Sequence, residues 1–365
     1  MKYIKELDSI RTFAVMLVVV HHWLPESHIL NALPNGEIGV NAFFVLSGFL
    51  ISRILFENRK KINDKDSRKI HLIKNFVIRR TLRIFPIYYI TIFLLLIFAN
   101  FTDTSIRENI AYYLTYTSNF FFYSNQKWDG ILSHLWSLAV EEQFYLIWPW
   151  LMIFMPRKWL PYTIIAFITL GITSNYFLPS MLAHDEMITV LTPTVFDSFG
   201  LGALYAWILS YRPEFTSRIQ GPVMIIGLLA FILMCIQVLA FPFPFPLRTL
   251  ISLFSLSAIV YCLTPRKNWF FKKILGNNFL VELGKISYGM YLFHNIIPYM
   301  FNETLGKFIY STYIPVLDKI IPQKLSGEIE LINYLLILLI ISYLSWNFIE
   351  KPINGLKRLF EYQRH

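Results

Sequence analysis

Two kinds of side chain that can do chemistry stand at the ends of one apolar run. In IRTFAVMLVVVHHWLP, residues 10–25, Arg11 opens the run and His21 and His22 close it. A neutral imidazole near pH 7 can take a proton from a hydroxyl, and a guanidinium can grip a phosphate through its fork of donors. Arg11 and His22 are eleven positions apart. That is three turns and about 20°, so they share one helical face, about 16 Å apart along the axis. Asp8 lies within about 40° of that face, whereas His21 points about 80° away. Plain membrane anchoring fits the same residues, with Arg11 at the inner surface and the histidines at the outer interface.

Ionisable groups at membrane depth are costly and therefore mark function by default. In EIGVNAFFVLSGFLI, residues 37–51, Gly39, Ser47 and Gly48 permit close helix contact, or a break whose freed backbone lines a cavity. Ser47 has no base near it in sequence. In IRRTLRIFPIYY, residues 78–89, Arg80 and Arg83 fall on one face and suit multidentate phosphate binding, while Arg79 reads as an anchor. In HLWSLAVEEQFYLIWP, residues 134–149, Glu141 and Glu142 lie early in an apolar helix, beside Trp136, Ser137 and Gln143. A helix dipole favours acids there. Neighbours point about 100° apart, so the two cannot serve one site, and at least one faces an interior cavity. Ser287, Tyr291 and His294 in KISYGMYLFHN, and Glu350 in NFIEKP, read first as structural.

The elements that position these groups follow from composition. The chain has 365 residues, 55% hydrophobic and only 15% charged, against about 25% charged in soluble domains. Its apolar residues fall in blocks of about 20, the length that crosses a bilayer core. The fold class is all-α: a polytopic membrane helical bundle with about ten transmembrane helices. The spans are expected near 10–24, 38–56, 82–100, 136–155, 159–178, 188–209, 221–241, 246–263, 281–301 and 331–350. The second holds Gly39 and Gly48 and is expected to be broken or re-entrant. Placing both termini in the cytoplasm puts 27 of the 33 lysines and arginines inside, as the positive-inside rule requires. That bias accounts for the net charge of +10 without nucleic acid. Cys235 and Cys262 each sit within an apolar block, so neither a disulfide framework nor a thiolate metal site is expected. No small-residue cleavage site follows the first run, which reads as a retained helix. Residues 1–365 read as a single membrane domain with no separate soluble domain.

These segments, in this order, resemble acyltransferase family 3, a family of integral membrane acyl-coenzyme A-dependent O-acyltransferases. The family's arginine–ten residues–histidine signature falls on Arg11 and His22. Its aromatic SGF segment is FFVLSGFLI, its basic segment RRTLRIFPIYY, and its glutamate motif WSLAVEEQFYLIWP, with Glu141 in the recurrent acid's place. ISYGMYLFH and FIEKP match near the end. The resemblance implies transfer of an acyl group, usually acetyl, from cytoplasmic acyl-coenzyme A to a carbohydrate hydroxyl. The acceptor would be O-antigen, as in lipopolysaccharide, or another surface glycan or lipid-linked sugar, handled in the bacterial cytoplasmic (inner) membrane.

On that resemblance His22 removes the acceptor's proton and Glu141 orients the imidazole. Arg11, Arg80 and Arg83 gather the phosphates of acetyl-coenzyme A, and Ser47 faces the oxyanion. Tyr291 and His294 are further substrate or oxyanion candidates. No metal is expected, and the oligomeric state is open. Two departures stand out. Asn41 occupies a position where the family often has an acid, and the sequence ends at His365 without the SGNH-type hydrolase domain of many members, which points to the stand-alone type. From the residues alone, a proton-coupled permease or a membrane scaffold for glycan assembly is also possible. A permease more often carries paired repeats with broken helices, which the sequence does not show.

Overall fold

The computed structural model describes residues 3–62, 66–102, 104–181, 186–264, 273–300 and 323–362. Among them ten helices of sixteen or more residues overlap the ten expected spans: α1 (Glu6–Trp23), α2 (Asn35–Arg59), α3 (Asp66–Ile97), α4 (Leu135–Phe154), α5 (Leu160–Met181), α6 (Phe196–Tyr211), α7 (Thr216–Leu239), α8 (Leu247–Leu263), α9 (Asn278–Phe293) and α10 (Gln323–Ser345). There is no strand among the described residues.

Several boundaries differ from expectation for physical reasons. The second span is neither broken nor re-entrant, because α2 runs unbroken from Asn35 to Arg59. Its glycines serve packing instead. Gly48 faces the backbone of Phe199 on α6, and Gly202 of α6 faces the Val45 carbonyl and Phe49 amide on α2. Small residues let two backbones approach this closely. Helix α3 begins well before its apolar stretch and carries its basic residues between Arg68 and Arg83. Past α10 a π-helical turn, Trp346–Glu350, precedes Pro352, which has no N–H to continue an α ladder.

Helix α2 is the hub, packing on α1, α4, α6 and α8, while α1 also packs on α9, and α9 on α10. Five helical stretches are long and apolar enough by length and composition to cross a membrane, based on α2, α3, α5, α7 and α10 with its continuation, and α8 is a shorter apolar helix. Helices α1, α4, α6 and α9 do not meet that test. Three of these carry Asp8, Arg11, Glu141, Glu142 and Asp197, polar groups the bundle interior accommodates and lipid would not. Apolar side chains from α1 to α6 and from α8 to α10 close one continuous core.

Candidate active site

Two chambers lie along α1. The inner one, near its N-terminal half, has about 840 Å³ of empty space and is lined by Arg11, Ser47, Arg80, Arg83, Glu141, Glu142, Tyr145 and Tyr291 among others. The outer one, near its C-terminal end, has about 1100 Å³ and is lined by His21, His22, Glu37, Asn41, Trp128, His134, Trp136 and Arg248 among others. Val40 and Tyr291 line both, so the chambers meet at these two side chains.

The guanidinium groups of the inner chamber differ in freedom. Arg11 is ion-paired with Asp8, one turn earlier, and Asp8 also accepts from the Tyr3 hydroxyl. Arg83 has no hydrogen bond or ion pair with any described residue, and Arg80 rests over the rings of Phe76 and Tyr145. Arg79 turns away: it donates to the carbonyls of Lys357 (2.7 Å) and Phe360 (3.3 Å) and lies over Tyr362. The i,i+3 spacing puts Arg80 and Arg83 together, and the adjacent Arg79 ties down the C-terminal segment.

Glu141 and His22 are not partners. Glu141 accepts a 2.8 Å hydrogen bond from Ser47 Oγ in the inner chamber, while His22 lies in the outer one. A serine has one proton, and here it goes to Glu141, so the expected oxyanion role for Ser47 is not met in this geometry. The Tyr145 hydroxyl completes the cluster, 3.1 Å from Ser47 Oγ. Both glutamates line the inner chamber, contrary to the expectation from their 100° offset. Glu142 also borders a groove between α3 and α4 that Arg80, Phe85, Tyr116 and Gln143 help to form.

What orients His22 is its own helix. Its Nδ1 is 2.9 Å from the Val18 carbonyl, which can only accept, so Nδ1 carries the proton and the lone pair is on Nε2. His294 is held alike: Nδ1 donates to the Tyr291 carbonyl at 2.6 Å, and Nε2 is buried without a partner. His134 has the opposite tautomer. Its Nε2 donates to the Leu292 carbonyl at 3.2 Å, and its Nδ1 accepts from the Asn295 amide at 3.3 Å. The His294 ring lies 4.8 Å from each of the other two. Tyr291 shares a 2.5 Å hydrogen bond with Ser137. No group of three or more metal-ligating side chains occurs among the described residues.

The pattern of a helix bearing Arg11 and His22, a basic helix and a buried glutamate recurs at the level of the whole sequence. The family described as "Acyltransferase domain" matches residues 4–350. The chain belongs to acyltransferase family 3. Similar to this acyltransferase-3 chain are "Putative O-acetyltransferase SACOL0978" of Staphylococcus aureus (strain COL), 27% identical, and "O-acetyltransferase OatA" of Staphylococcus aureus (strain NCTC 8325 / PS 47), 28% identical. The matches cover 98% and 97% of the chain and 59% and 57% of the relatives. The acyltransferase-3 chain thus spans under three fifths of the length of the curated relatives it matches. No solved structure matches it.

Several residues of the site escaped the sequence reading. His134 stands immediately before α4, outside the apolar periodicity, although it opens the glutamate segment. Arg248 was legible only as a lone cation at the outer end of a span, against the charge bias of the rest. Glu37 and Trp128 carry no spacing signal at all. Asn41 is buried between α2 and α6: it donates to the Glu37 carbonyl at 2.8 Å and accepts from Ser198 Oγ at 3.1 Å. At this position the acyltransferase-3 chain uses an amide that both gives and takes hydrogen bonds, which a carboxylate does not do.

Proposed function

We propose that this membrane acyltransferase moves an acyl group, most simply acetyl, from cytoplasmic acyl-coenzyme A to a hydroxyl of a cell-envelope carbohydrate, in the bacterial cytoplasmic membrane. The observation that carries the reading is the division of labour along α1. Guanidinium groups gather in the chamber at its inner half, and a neutral imidazole with its lone pair on Nε2 opens into the chamber at its outer end. Coenzyme A has the matching polarity, with phosphates at one end and a thioester at the other. The relatives' names favour acetyl as the group transferred.

In this reading Arg83 and Arg80, with Arg11 behind its Asp8 partner, bind the phosphates, and the pantetheine arm runs past Ser47 toward Tyr291 and Val40. His22 Nε2 takes the proton from the acceptor hydroxyl as its oxygen attacks the thioester carbonyl. The C–S bond breaks, and the His22 imidazolium gives that proton to the departing thiolate, so that an ester, free coenzyme A and neutral His22 result. The Val18 carbonyl stabilises the imidazolium that forms, by keeping Nδ1–H bonded throughout. Ser47, Glu141 and Tyr145 shape the passage instead of contacting the reacting carbon. Residues 1–365 act as one membrane unit in this account.

The test is transfer of labelled acetyl from acetyl-coenzyme A by membranes that contain the protein, with mass spectrometry of surface glycans from cells with and without it. A mass difference of one acetyl unit that disappears in His22→Ala supports the reading. Equal glycan masses with and without the protein would overturn it.

A further inference from the structure

Arg248, in the first turn of α8, is 7% exposed and borders the outer chamber. Its Nη1 donates to the carbonyls of Thr189 (2.8 Å) and Thr194 (3.3 Å) and to Thr194 Oγ1 (2.8 Å). Those bonds fix the guanidinium plane, which lies 5.8 Å from the centre of the Trp136 ring. The opposite edge is unused. Nε is buried without a partner, and no described residue accepts from Nη2.

The neighbouring acids Glu37 and Asp197 act on it at a distance and form no ion pair with it. Asp197 spends its oxygens on Thr249 Oγ1 (2.6 Å) and the Ser198 amide (2.9 Å). Glu37 lines the same chamber, and its charge acts on Arg248 across it without an ion pair. A buried guanidinium donor without an acceptor is costly, and the Nε/Nη2 edge is the one that matches two oxygens of an oxyanion side by side. Trp128 and Trp136 supply flat apolar walls in the same chamber, and His22 opens into it.

We infer that the acceptor is an anionic sugar, seated in the outer chamber with its carboxylate or phosphate on the Nε/Nη2 edge of Arg248. The sugar ring lies against the tryptophans, and one of its hydroxyls is turned to His22. This rests on reading the chain as a carbohydrate acyltransferase. It adds a charge requirement to the acceptor that the family alone does not impose. Glu37 sets the opposite limit, because it repels a second negative charge on the exposed side of the chamber.

Binding can be measured apart from catalysis. The purified protein in detergent at pH 7 is titrated with glucuronate, glucose 1-phosphate and methyl glucoside by saturation-transfer NMR. At least one charged probe is expected to bind about tenfold more tightly than the neutral one, the size of a charge-assisted contact. Whichever charged probe leads identifies the anion. R248Q is expected to erase the difference, and E37Q, at an exposed position, to tighten the charged probe several-fold while leaving methyl glucoside unchanged. If R248Q does not fold, the wild-type probe ratio and E37Q still decide. Equal binding of all three probes, or no binding of any, overturns the inference. If glucuronate binds through Arg248 but no glycan gains an acetyl group, the functional reading falls instead and the anion site stands.

Discussion

Ser47 on α2 and Glu141 on α4 are joined by a 2.8 Å hydrogen bond that spans 94 positions of sequence. It locks two central helices together at the wall of the inner chamber and leaves the glutamate's second oxygen free for Tyr145, one turn further along α4. Replacing Ser47 with Ala removes a donor from a carboxylate held in the bundle interior. The expected result is a loss of roughly tenfold in kcat/KM, since a hydrogen bond to a charged group contributes about 1.5–3 kcal/mol. Thermal unfolding in detergent checks that the helices remain assembled. Unchanged kinetics would show that the bond has no part in shaping the passage.

His22 and His21 are expected to separate sharply under mutation. His22→Ala should lower acetyl transfer by about 10²–10⁴, the range typical of a positioned general base. His21, whose ring packs against Gly36, should lose far less. Transfer assays on the two single variants, with protein level checked by immunoblot, would reverse the assignment if His21→Ala proved the more damaging.

The three arginines in RRTLR should part company in the same way. Arg83→Ala and Arg80→Ala are expected to raise KM for acyl-coenzyme A about 10–100-fold, through loss of charge-assisted contacts to phosphate. Arg79→Ala should leave that KM alone and lower the melting temperature, because Arg79 holds the Lys357 and Phe360 carbonyls. Initial rates over a range of donor concentrations, with melting curves for each variant, separate the two behaviours.

Gly202→Leu tests the α2–α6 contact. A side chain at this position meets the Val45 carbonyl and Phe49 amide, which are backbone groups that cannot rotate aside. Overpacking of this kind costs about 1–3 kcal/mol or more. The expected outcome is a lower melting temperature and less folded protein in the membrane, with the KM of the surviving fraction unchanged. A melting temperature equal to that of the parent would mean that the two helices can move apart freely.

Much of the bundle was legible because a membrane imposes a one-dimensional code. Apolar length marks a span, and the placement of lysine and arginine marks its inner end. The same code misjudged α2, whose glycines looked like breakpoints. Whether a glycine ends a helix or admits a neighbour depends on the neighbour, and Phe199 lies far along the chain. It also misplaced the start of α3, since a helix continues into water without any change of hydropathy pattern that marks where it began.

The candidate site divides along the same line. Helical geometry within a single element was enough to align Arg11 with His22, and to set Arg80 and Arg83 apart from Arg79, because 3.6 residues per turn is a local rule. The resemblance of six short segments, in order, to a known family was enough to recognise a membrane acyltransferase. Contacts between helices were beyond its reach. That Glu141 meets Ser47 and not His22, that His22 is oriented by Val18, and that Arg248 keeps one edge free beside Trp136 are consequences of how the described helices pack. Such pairings depend on rotation and depth of one helix against another, which no single helix encodes. The sequence by itself determined which groups the membrane would have to hold; only the tertiary structure decided which of them face one another.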